Sequence, residues 1–326
     1  MFSKKIVVAA ALLAASAAQA QVTLYGNLDV SFGRFETPFA ESSQTQVESG
    51  VLNESYIGFK GQEDLGGGLK AFFQLESAIG VDTGSTAGDS FWSRTSIIGL
   101  TGDFGTATLG NARTLNFLAN QAYNPFGATG RLSTSTALFQ GPVLGVLPVA
   151  DSNFINSITY TSPNLSGFTA AVQVGLSEND AAGTEDDAFG VQLNYAAGPL
   201  AIGFTYEDAE ESIFTGNTRW QLGASYDFGG AKLYGQVGKA DYDALDEDYK
   251  FFQIGAGLPI SNAGNVLVSY GQGKIDDLKA RQLSLAYDHS LSKRTGAYVG
   301  LIHQNLDTGA DDDSGNSVFV GVRHSF

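Results

Sequence analysis

The last ten residues, 317–326, alternate between two kinds of side chain along an extended strand. One face is mixed and the other is apolar, and the apolar face carries Val318, Val320, Val322 and Phe326. A strand with these faces that ends on an aromatic residue is typical of a lipid-facing barrel strand at a membrane interface. A half-buried strand of a soluble sheet has the same pattern, so the interpretation depends on the rest of the chain.

The alternation recurs along the whole chain, for example in 22–32, 168–176, 220–226 and 282–288. After residue 20, no segment has the roughly 20 consecutive apolar residues that a transmembrane helix needs. Glycine is abundant, with 41 residues, and the mean hydropathy of -0.03 fits strands whose lipid-facing residues alternate with polar ones. If the chain lies in a membrane, it must form a closed β-barrel, because lipid satisfies no backbone hydrogen bonds.

The first 20 residues predict a cleaved signal peptide. A basic pair, Lys4 and Lys5, precedes an apolar run that is too short to cross a membrane, and an Ala18-x-Ala20 cleavage site follows. The mature chain is therefore expected outside the cytoplasm. It has no cysteine, so no disulfide framework is expected there.

Turn signals divide the chain into sixteen predicted strands. Seven short signals are rich in Gly, Pro, Asn, Asp or Ser and fit tight hairpin turns: 63–68, 102–105, 162–167, 196–199, 227–230, 259–264 and 289–294. Eight longer polar segments alternate with them: 35–53, 81–91, 114–154, 178–186, 207–217, 240–249, 272–280 and 306–316. The fold class is therefore all-β, a transmembrane antiparallel barrel with short periplasmic turns and long outer loops. A barrel of this size leaves an aqueous channel.

Several short motifs occur in order from residue 21 to residue 326. They are VTLYGNLD at 22–29, EDLGGGLKA at 63–71, GTATLG at 105–110, NPFG at 124–127, NSITYTSP at 156–163, LSKRT at 291–295 and RHSF at 323–326. In these motifs the chain resembles the Gram-negative general porins of the β-proteobacterial type. The resemblance implies a homotrimer in the outer membrane, in contact with lipid and lipopolysaccharide, with a third loop folded into each lumen. It also implies that the barrel-assembly machinery reads the terminal strand.

The segment 114–154 is by far the longest predicted loop. It is rich in apolar residues and carries two formal charges, Arg131 and Asp151. A loop of this length inside a compact domain is either functional or disordered, and this one is too apolar to be disordered. Packing against the inner barrel wall would bury its apolar side chains and narrow the pore, which agrees with the resemblance. A lid or a subunit contact is the alternative.

Strand parity and the resemblance together predict which residues line the pore and its constriction. They are Tyr56, Lys60, Lys70, Glu76, Arg94, Asn111, Arg113, Tyr123, Phe126, Arg131, Asp151 and Asn153. Parity also places Asp29 and Glu54 on the lumen face. The resemblance implies arginines at three wall positions where this chain has Tyr56, Asn111 and Asn153, whereas Arg94 matches a family arginine. Arginine binds carboxylate and phosphate in a bidentate manner, so fewer arginines predict weaker anion selectivity.

The predicted outer loops are strongly acidic, and the chain has a formal net charge of -16. This charge argues against a nucleic acid partner. Carboxylates at a channel mouth enrich cations, so the sequence predicts a weakly selective or modestly cation-preferring pore for small hydrophilic solutes. No cofactor is expected. Loosely bound Ca²⁺ or Mg²⁺ at Asp311–Asp313 or at Asp241 and Asp243 is an alternative to a solvated run of charge.

An enzyme is not expected on this barrel. The chain has three histidines, all near its C-terminus, and lacks a G-x-S-x-G nucleophile elbow. A substrate-specific channel and a barrel adhesin use the same fold and stay open as alternatives to a diffusion pore.

Overall fold

The computed structural model describes residues 22–88, 90–127, 130–140, 142–143, 147–148, 152–177, 187–209, 218–242 and 247–326. The predicted signal peptide lies outside these residues. Within them the chain forms strands and two short helices, α1 (Leu115–Ala122) and α2 (Thr134–Phe139). The strands are β1 (Thr23–Phe35), β2 (Gln44–Ser49), β3 (Tyr56–Gly66), β4 (Leu69–Gly80), β5 (Ser85–Thr86), β6 (Thr95–Gly102), β7 (Gly105–Arg113), β8 (Pro142–Val143), β9 (Leu147–Pro148), β10 (Asn153–Thr161), β11 (Phe168–Gly175), β12 (Ala188–Ala197), β13 (Leu200–Asp208), β14 (Thr218–Asp227), β15 (Lys232–Tyr242), β16 (Glu247–Pro259), β17 (Gly264–Ile275), β18 (Leu278–Ser290), β19 (Thr295–Asp307) and β20 (Asp312–Ser325).

Sixteen of the described strands form one closed antiparallel barrel, as the turn signals predicted. Each pairs with the next along the chain, and β20 returns to pair with β1 from Asn27↔Ser325 to Arg34↔Val318. β2 continues β3 along the same edge of β1, β5 folds back on β4, and β8 pairs with β9 inside the long loop. Closure leaves no free sheet edge, which is the condition for strands in a membrane.

The seven predicted short turns are confirmed and lie at one end of the barrel. At the other end, the predicted loop 272–280 is wrong, because β17 and β18 continue to Ile275 and Leu278. Only Asp276 and Asp277 connect them, and Asp276 adopts a positive φ of 46° that closes a tight hairpin. The neighbouring strands β15, β16, β19 and β20 are also longer than predicted, so several acidic residues assigned to loops belong to strand ends.

The two faces of most described strands follow the predicted alternation, and β10 departs from it at a register shift between Phe154 and Ser157. Large apolar side chains on the outer face are exposed, for example Phe32, Leu222, Leu285 and Val320. The inner face carries polar residues, glycines and the partners of the long loop. This distribution is the reverse of a soluble protein and fits a barrel whose outer surface faces lipid.

The long loop between β7 and β10 folds into the lumen. Its helix α1 packs on β12, β13 and β14, and α2 packs on β16, β17 and β18. Each helix is capped at its start, since the Thr114 and Ser133 side chains accept hydrogen bonds from the Phe117 and Thr136 amides. Neither helix is long and apolar enough to cross a membrane.

Two apolar clusters hold this loop to the wall. In the first, Leu138 and Phe139 of α2 pack among wall side chains, and Phe139 stacks on Phe251 with ring centroids 4.8 Å apart. In the second, Phe126 and Leu132 pack with Phe35, which stacks on another wall residue of the same cluster. The apolar core of this protein therefore lies inside the lumen, between loop and wall.

Lumen-facing glutamines bond the loop backbone. They donate through their amides to backbone carbonyls at 2.8–3.2 Å: Gln173 to Arg113, Gln192 to Leu115, Gln236 to Asn120 and Gln282 to Arg131. A buried backbone carbonyl without a partner is costly, so these bonds fix the height and direction of the loop.

Glycines on neighbouring strands form the seat of the loop. A Cβ added to Gly223 would lie 2.3 Å from the Tyr123 ring, and one added to Gly203 would lie 2.5 Å from its hydroxyl. A Cβ added to Gly255 would likewise clash with Pro125, and one added to Gly238 would clash with Phe139. The close approach of loop to wall therefore requires residues without side chains on these strands.

We expect Gly223→Leu to unseat the loop. The new side chain occupies the space of the Tyr123 ring, and overpacking of this kind costs about 1–3 kcal/mol. The loop of the folded variant should then be cut faster by a protease added in detergent, with the fragments located by mass spectrometry.

Gly235→Leu is the matched control on the adjacent strand. Its new Cβ meets nothing closer than a backbone oxygen at 4.0 Å, on the lipid-facing side of β15. Equal cleavage of the loop in both variants would contradict the role of Gly223 as its seat.

Candidate constriction site

A passage remains where the loop does not cover the wall. Because α1 and α2 pack on β12–β18, the open side of the lumen is bounded by β1–β7. A cavity of about 590 Å³ lies on this side. Loop residues Phe117, Thr136 and Gln140 line it opposite the wall residues Glu48, Glu54 and Arg113.

Two arginines and two glutamates form an ion-pair network on this wall. Glu54 contacts the guanidinium of Arg94 through Oε2, and the same oxygen accepts a hydrogen bond from Arg113 Nη2 at 3.1 Å. Glu76 accepts from Arg94 Nε at 3.1 Å and from the Tyr25 hydroxyl at 2.6 Å. The arginine side chains are only 15% and 13% exposed, so these charges are less screened than surface pairs.

Each basic side chain at the passage also lies on an aromatic ring. The distances from the cationic group to the ring centroid are 4.2 Å for Arg94 on Tyr56, 4.5 Å for Arg113 on Phe117, 4.5 Å for Lys60 on Tyr25 and 5.5 Å for Arg131 on Phe35. A ring under a cation attracts it and restricts its rotamers. The basic groups are therefore held in place at the passage.

Asn111 and Asn153 join the two arginines. Asn153 Oδ1 accepts from Arg113 Nη1 at 2.9 Å, and its Nδ2 donates to the Arg94 carbonyl at 2.8 Å and to Asn111 Oδ1 at 2.7 Å. With Tyr56, these are the three positions where the resemblance implies arginine. The structure brings all three into contact with Arg94, Arg113 or each other.

Of the two charged residues predicted in the loop, Arg131 lies within the described part of the chain. It forms an ion pair with Glu48 of β2. In the described part of the passage, the basic groups Lys60, Arg94, Arg113 and Arg131 thus lie beside the carboxylates Glu48, Glu54 and Glu76. A further carboxylate, that of Asp82, lines the cavity. The fixed charges of the passage are nearly balanced.

Other predicted site residues lie elsewhere. Tyr123 and Phe126 were predicted to line the pore, but both are buried against the wall, because loop packing takes up their apolar surface. Lys70 follows the first short turn and pairs across the ladder with Asp64 and Thr101, away from the arginine network. Asp151 lies outside the described residues.

The acidic residues of the outer end are partly neutralised. Lys239 Nζ lies 2.6 Å from an Asp241 carboxylate oxygen and 2.9 Å from one of Asp248. Asp312 accepts from Asn305, and Asp313 accepts from the Phe39 amide. Among the described residues, no group of three or more acidic, His or Cys side chains could hold a metal ion. Asp243 lies outside them.

The sequence reasoning did not find Glu48. It falls in a segment predicted as loop, where strand parity is not applied, although Gln44–Ser49 alternates weakly in its own right. The roles of Tyr25 and Phe35 under cationic groups were also missed, since each contact joins residues distant in the chain.

Comparison with known proteins agrees with this architecture. A family model described as Gram-negative porin matches residues 7–309. Outer membrane porin protein 32 of Delftia acidovorans is 33% identical, with 99% of this chain and all of that protein covered. An outer membrane porin of Bordetella pertussis is 29% identical with the same coverage.

Solved structures give the same result. The anion-selective porin from Comamonas acidovorans superposes with a TM-score of 0.81 at 29% identity, covering 94% of this chain and all of that one. OmpF of Salmonella typhi, at 16% identity and a TM-score of 0.70, shares the fold, with 94% of this chain and 98% of that one covered. The chain is thus an outer-membrane β-barrel of the channel-forming type rather than an enzyme, and it belongs to the Gram-negative porin family.

Proposed function

We propose that this protein is a general diffusion porin for small hydrophilic solutes and ions, with weak selectivity or a modest preference for cations. The observation that carries the proposal is the pairing of Arg94, Arg113 and Arg131 with carboxylates at the passage. Paired charges of opposite sign leave little net field for ions to sense. The acidic strand ends at the outer mouth then attract cations.

The neighbour from Comamonas acidovorans is described as anion-selective. This chain differs at the positions that the resemblance assigns to arginine, where Tyr56, Asn111 and Asn153 carry no charge. These differences support a weaker anion preference here. A substrate-specific saccharide channel would need aromatic faces open to the solute. Phe117, Tyr123 and Phe126 are buried, and the rings of Tyr25, Tyr56 and Phe35 lie against cationic groups, so diffusion is favoured.

We also infer a homotrimer. The strands β6 and β11 have eight residues each, whereas β19 and β20 have 13 and 14. At a rise of about 3.3 Å per residue and a tilt near 40°, eight residues span about 20 Å, less than the apolar band of about 25 Å. The part of the barrel wall around these short strands, which we call the low wall, is protected from lipid mismatch when it faces other subunits. OmpT of Vibrio cholerae, which shares the fold, is described in a trimer form.

The first test is the reversal potential of the purified protein in a planar bilayer under a KCl gradient. Stepwise insertions with a potential near zero, or of cation-selective sign, are expected from the balanced passage and the acidic mouth. A strongly anion-selective potential would contradict the charge argument while leaving a channel. Folded protein without conductance would contradict the porin function.

Asn153→Arg should shift the selectivity toward anions, because it adds a positive charge beside Arg113 with no new carboxylate to balance it. The permeability ratio of Cl⁻ to K⁺ should rise in the same bilayer measurement. Gly230→Arg adds the same charge in a short turn, where nothing lies within 4 Å of the new Cβ, and should leave the ratio unchanged. Equal ratios in the two variants would refute the role of the wall position.

The trimer can be tested by mass and by labelling. Native mass spectrometry of the detergent-extracted complex should give three chains. Because the chain has no cysteine, single variants report on the surface: Leu109→Cys on the low wall should react slowly with a maleimide, and Leu283→Cys on β18 should react fast. A monomeric mass with equal labelling of both sites would exclude the trimer.

A further inference from the structure

A short insertion in the barrel wall carries one of the passage carboxylates. Between the pairs Val30↔Ser49 and Asn27↔Tyr56, β1 advances three residues while its partner advances seven. The partner is thus four residues longer here, and its six residues Gly50–Ser55 leave the ladder and fold into the lumen, where Val51 and Leu52 are buried; we call this segment the wall insertion. Such irregularities in a strand serve to aim a side chain.

Asp29 anchors the wall insertion. Its fully buried carboxylate accepts from the Asn53 amide at 3.1 Å and from the Tyr298 hydroxyl at 2.7 Å. Its carbonyl accepts from the Gly50 amide at 2.9 Å, and its amide donates to Ser55 Oγ at 2.9 Å. Both ends and the middle of the insertion are thus tied to one residue of β1.

The wall insertion also contacts the loop. The Leu132 amide donates to the Val51 carbonyl at 3.2 Å, and a Cβ added to Gly130 would lie 2.1 Å from the same oxygen. Loop and insertion are therefore in direct backbone contact. The position of the insertion is defined from two sides, by Asp29 and by the loop.

The wall insertion presents the side chain of Glu54 to the passage. Its carbonyl accepts from Asn27 Nδ2 at 3.1 Å, which fixes the backbone, and its Oε2 lies between the guanidinium groups of Arg94 and Arg113. Glu76 also neutralises Arg94, whereas Glu54 is the carboxylate that pairs with Arg113 among the described ion pairs. Glu54 thus contacts two arginines at once, and with Glu76 it balances their charge.

We propose that Glu54 is the residue that sets the ion selectivity of this channel, and that Asp29 positions it. The inference rests on the proposed diffusion function and names the class of solute that Glu54 admits. With Glu54 charged, the arginine pair presents no excess of positive charge, and cations pass the wall. Without it, Arg94 and Arg113 face the lumen with Glu76 as the remaining partner, and anions are favoured.

The test is the permeability ratio of Cl⁻ to K⁺ for Glu54→Gln in planar bilayers. The amide keeps the shape and removes the charge, so a several-fold rise of the ratio is expected. Glu63→Gln is the matched control, since it removes an equal charge from the outer face of β3 near the short turn. Glu54→Asp keeps the charge on a shorter side chain and should raise the ratio by less than Glu54→Gln does.

The outcomes separate the two proposals. If wild-type protein that is folded, by circular dichroism, does not conduct, the diffusion function fails. If it conducts and Glu54→Gln has an unchanged ratio, or shifts no more than Glu63→Gln, the role of Glu54 is refuted. Arg113→Gln gives an independent reading: it leaves Glu54 in excess and should lower the ratio, so an unchanged ratio there also counts against the proposal.

Asp29→Asn tests the positioning role. A loosened insertion should release Glu54 from the arginines and raise the ratio in the same direction as Glu54→Gln, by a smaller factor. A purely structural role for Asp29 would lower the thermal stability and leave the permeability ratio of the folded fraction unchanged, which would refute the positioning of Glu54 by this residue.

Discussion

Backbone hydrogen bonding in lipid is the constraint on which the rest of this structure depends. Lipid offers no donors or acceptors, so every strand needs two neighbours, and the sheet has to close. Closure is made where β1 pairs with β20, and the backbone groups of Phe326 and Gly26 exchange two hydrogen bonds that extend this ladder by one residue pair. The ring of Phe326 covers Gly26 on the lipid-facing side, so the last residue completes the seam that makes the barrel continuous. Recognition of this strand by the assembly machinery stays a prediction.

A closed barrel of sixteen strands is too wide to fill with wall side chains. The interior is therefore filled by a loop, and the loop needs a wall that lets it approach. Glycines such as Gly223 provide the space, glutamines such as Gln236 satisfy its backbone, and aromatic residues such as Phe251 supply apolar contact. Because this seat is on β12–β18, the passage is left beside β1–β7, and those strands, with the wall insertion and Asn153 of β10, supply the wall groups described at the passage.

Much of the fold could be predicted from local pattern. Strand period and turn residues are properties of neighbours in sequence, so sixteen strands and the two faces followed from them. The in-lumen loop followed from the length and apolar composition of 114–154 together with the resemblance. The tight turn at Asp276 was missed because Gly273 and the polar residues beside it look like loop residues, although Gly273 and Lys274 lie in the ladder. The wall insertion could not be found, because it is defined by the register of β2 and β3 against β1. The burial of Tyr123 could not be predicted either, because the glycines on which it packs lie about 80–100 residues away in the chain.

The proposed weak selectivity depends on the arrangement of charge at the passage. In the described passage the loop face is mostly uncharged, with Thr136, Gln140 and Phe117, and its Arg131 is paired with Glu48. The carboxylates lie on the same wall as the arginines rather than opposite them, at contact distance. Charges this close cancel within a few ångströms, so a solute in the middle of the passage senses a weak dipole. The number of arginines in a porin sequence is then a poor guide to selectivity, unless the carboxylates that the fold brings to them are counted as well.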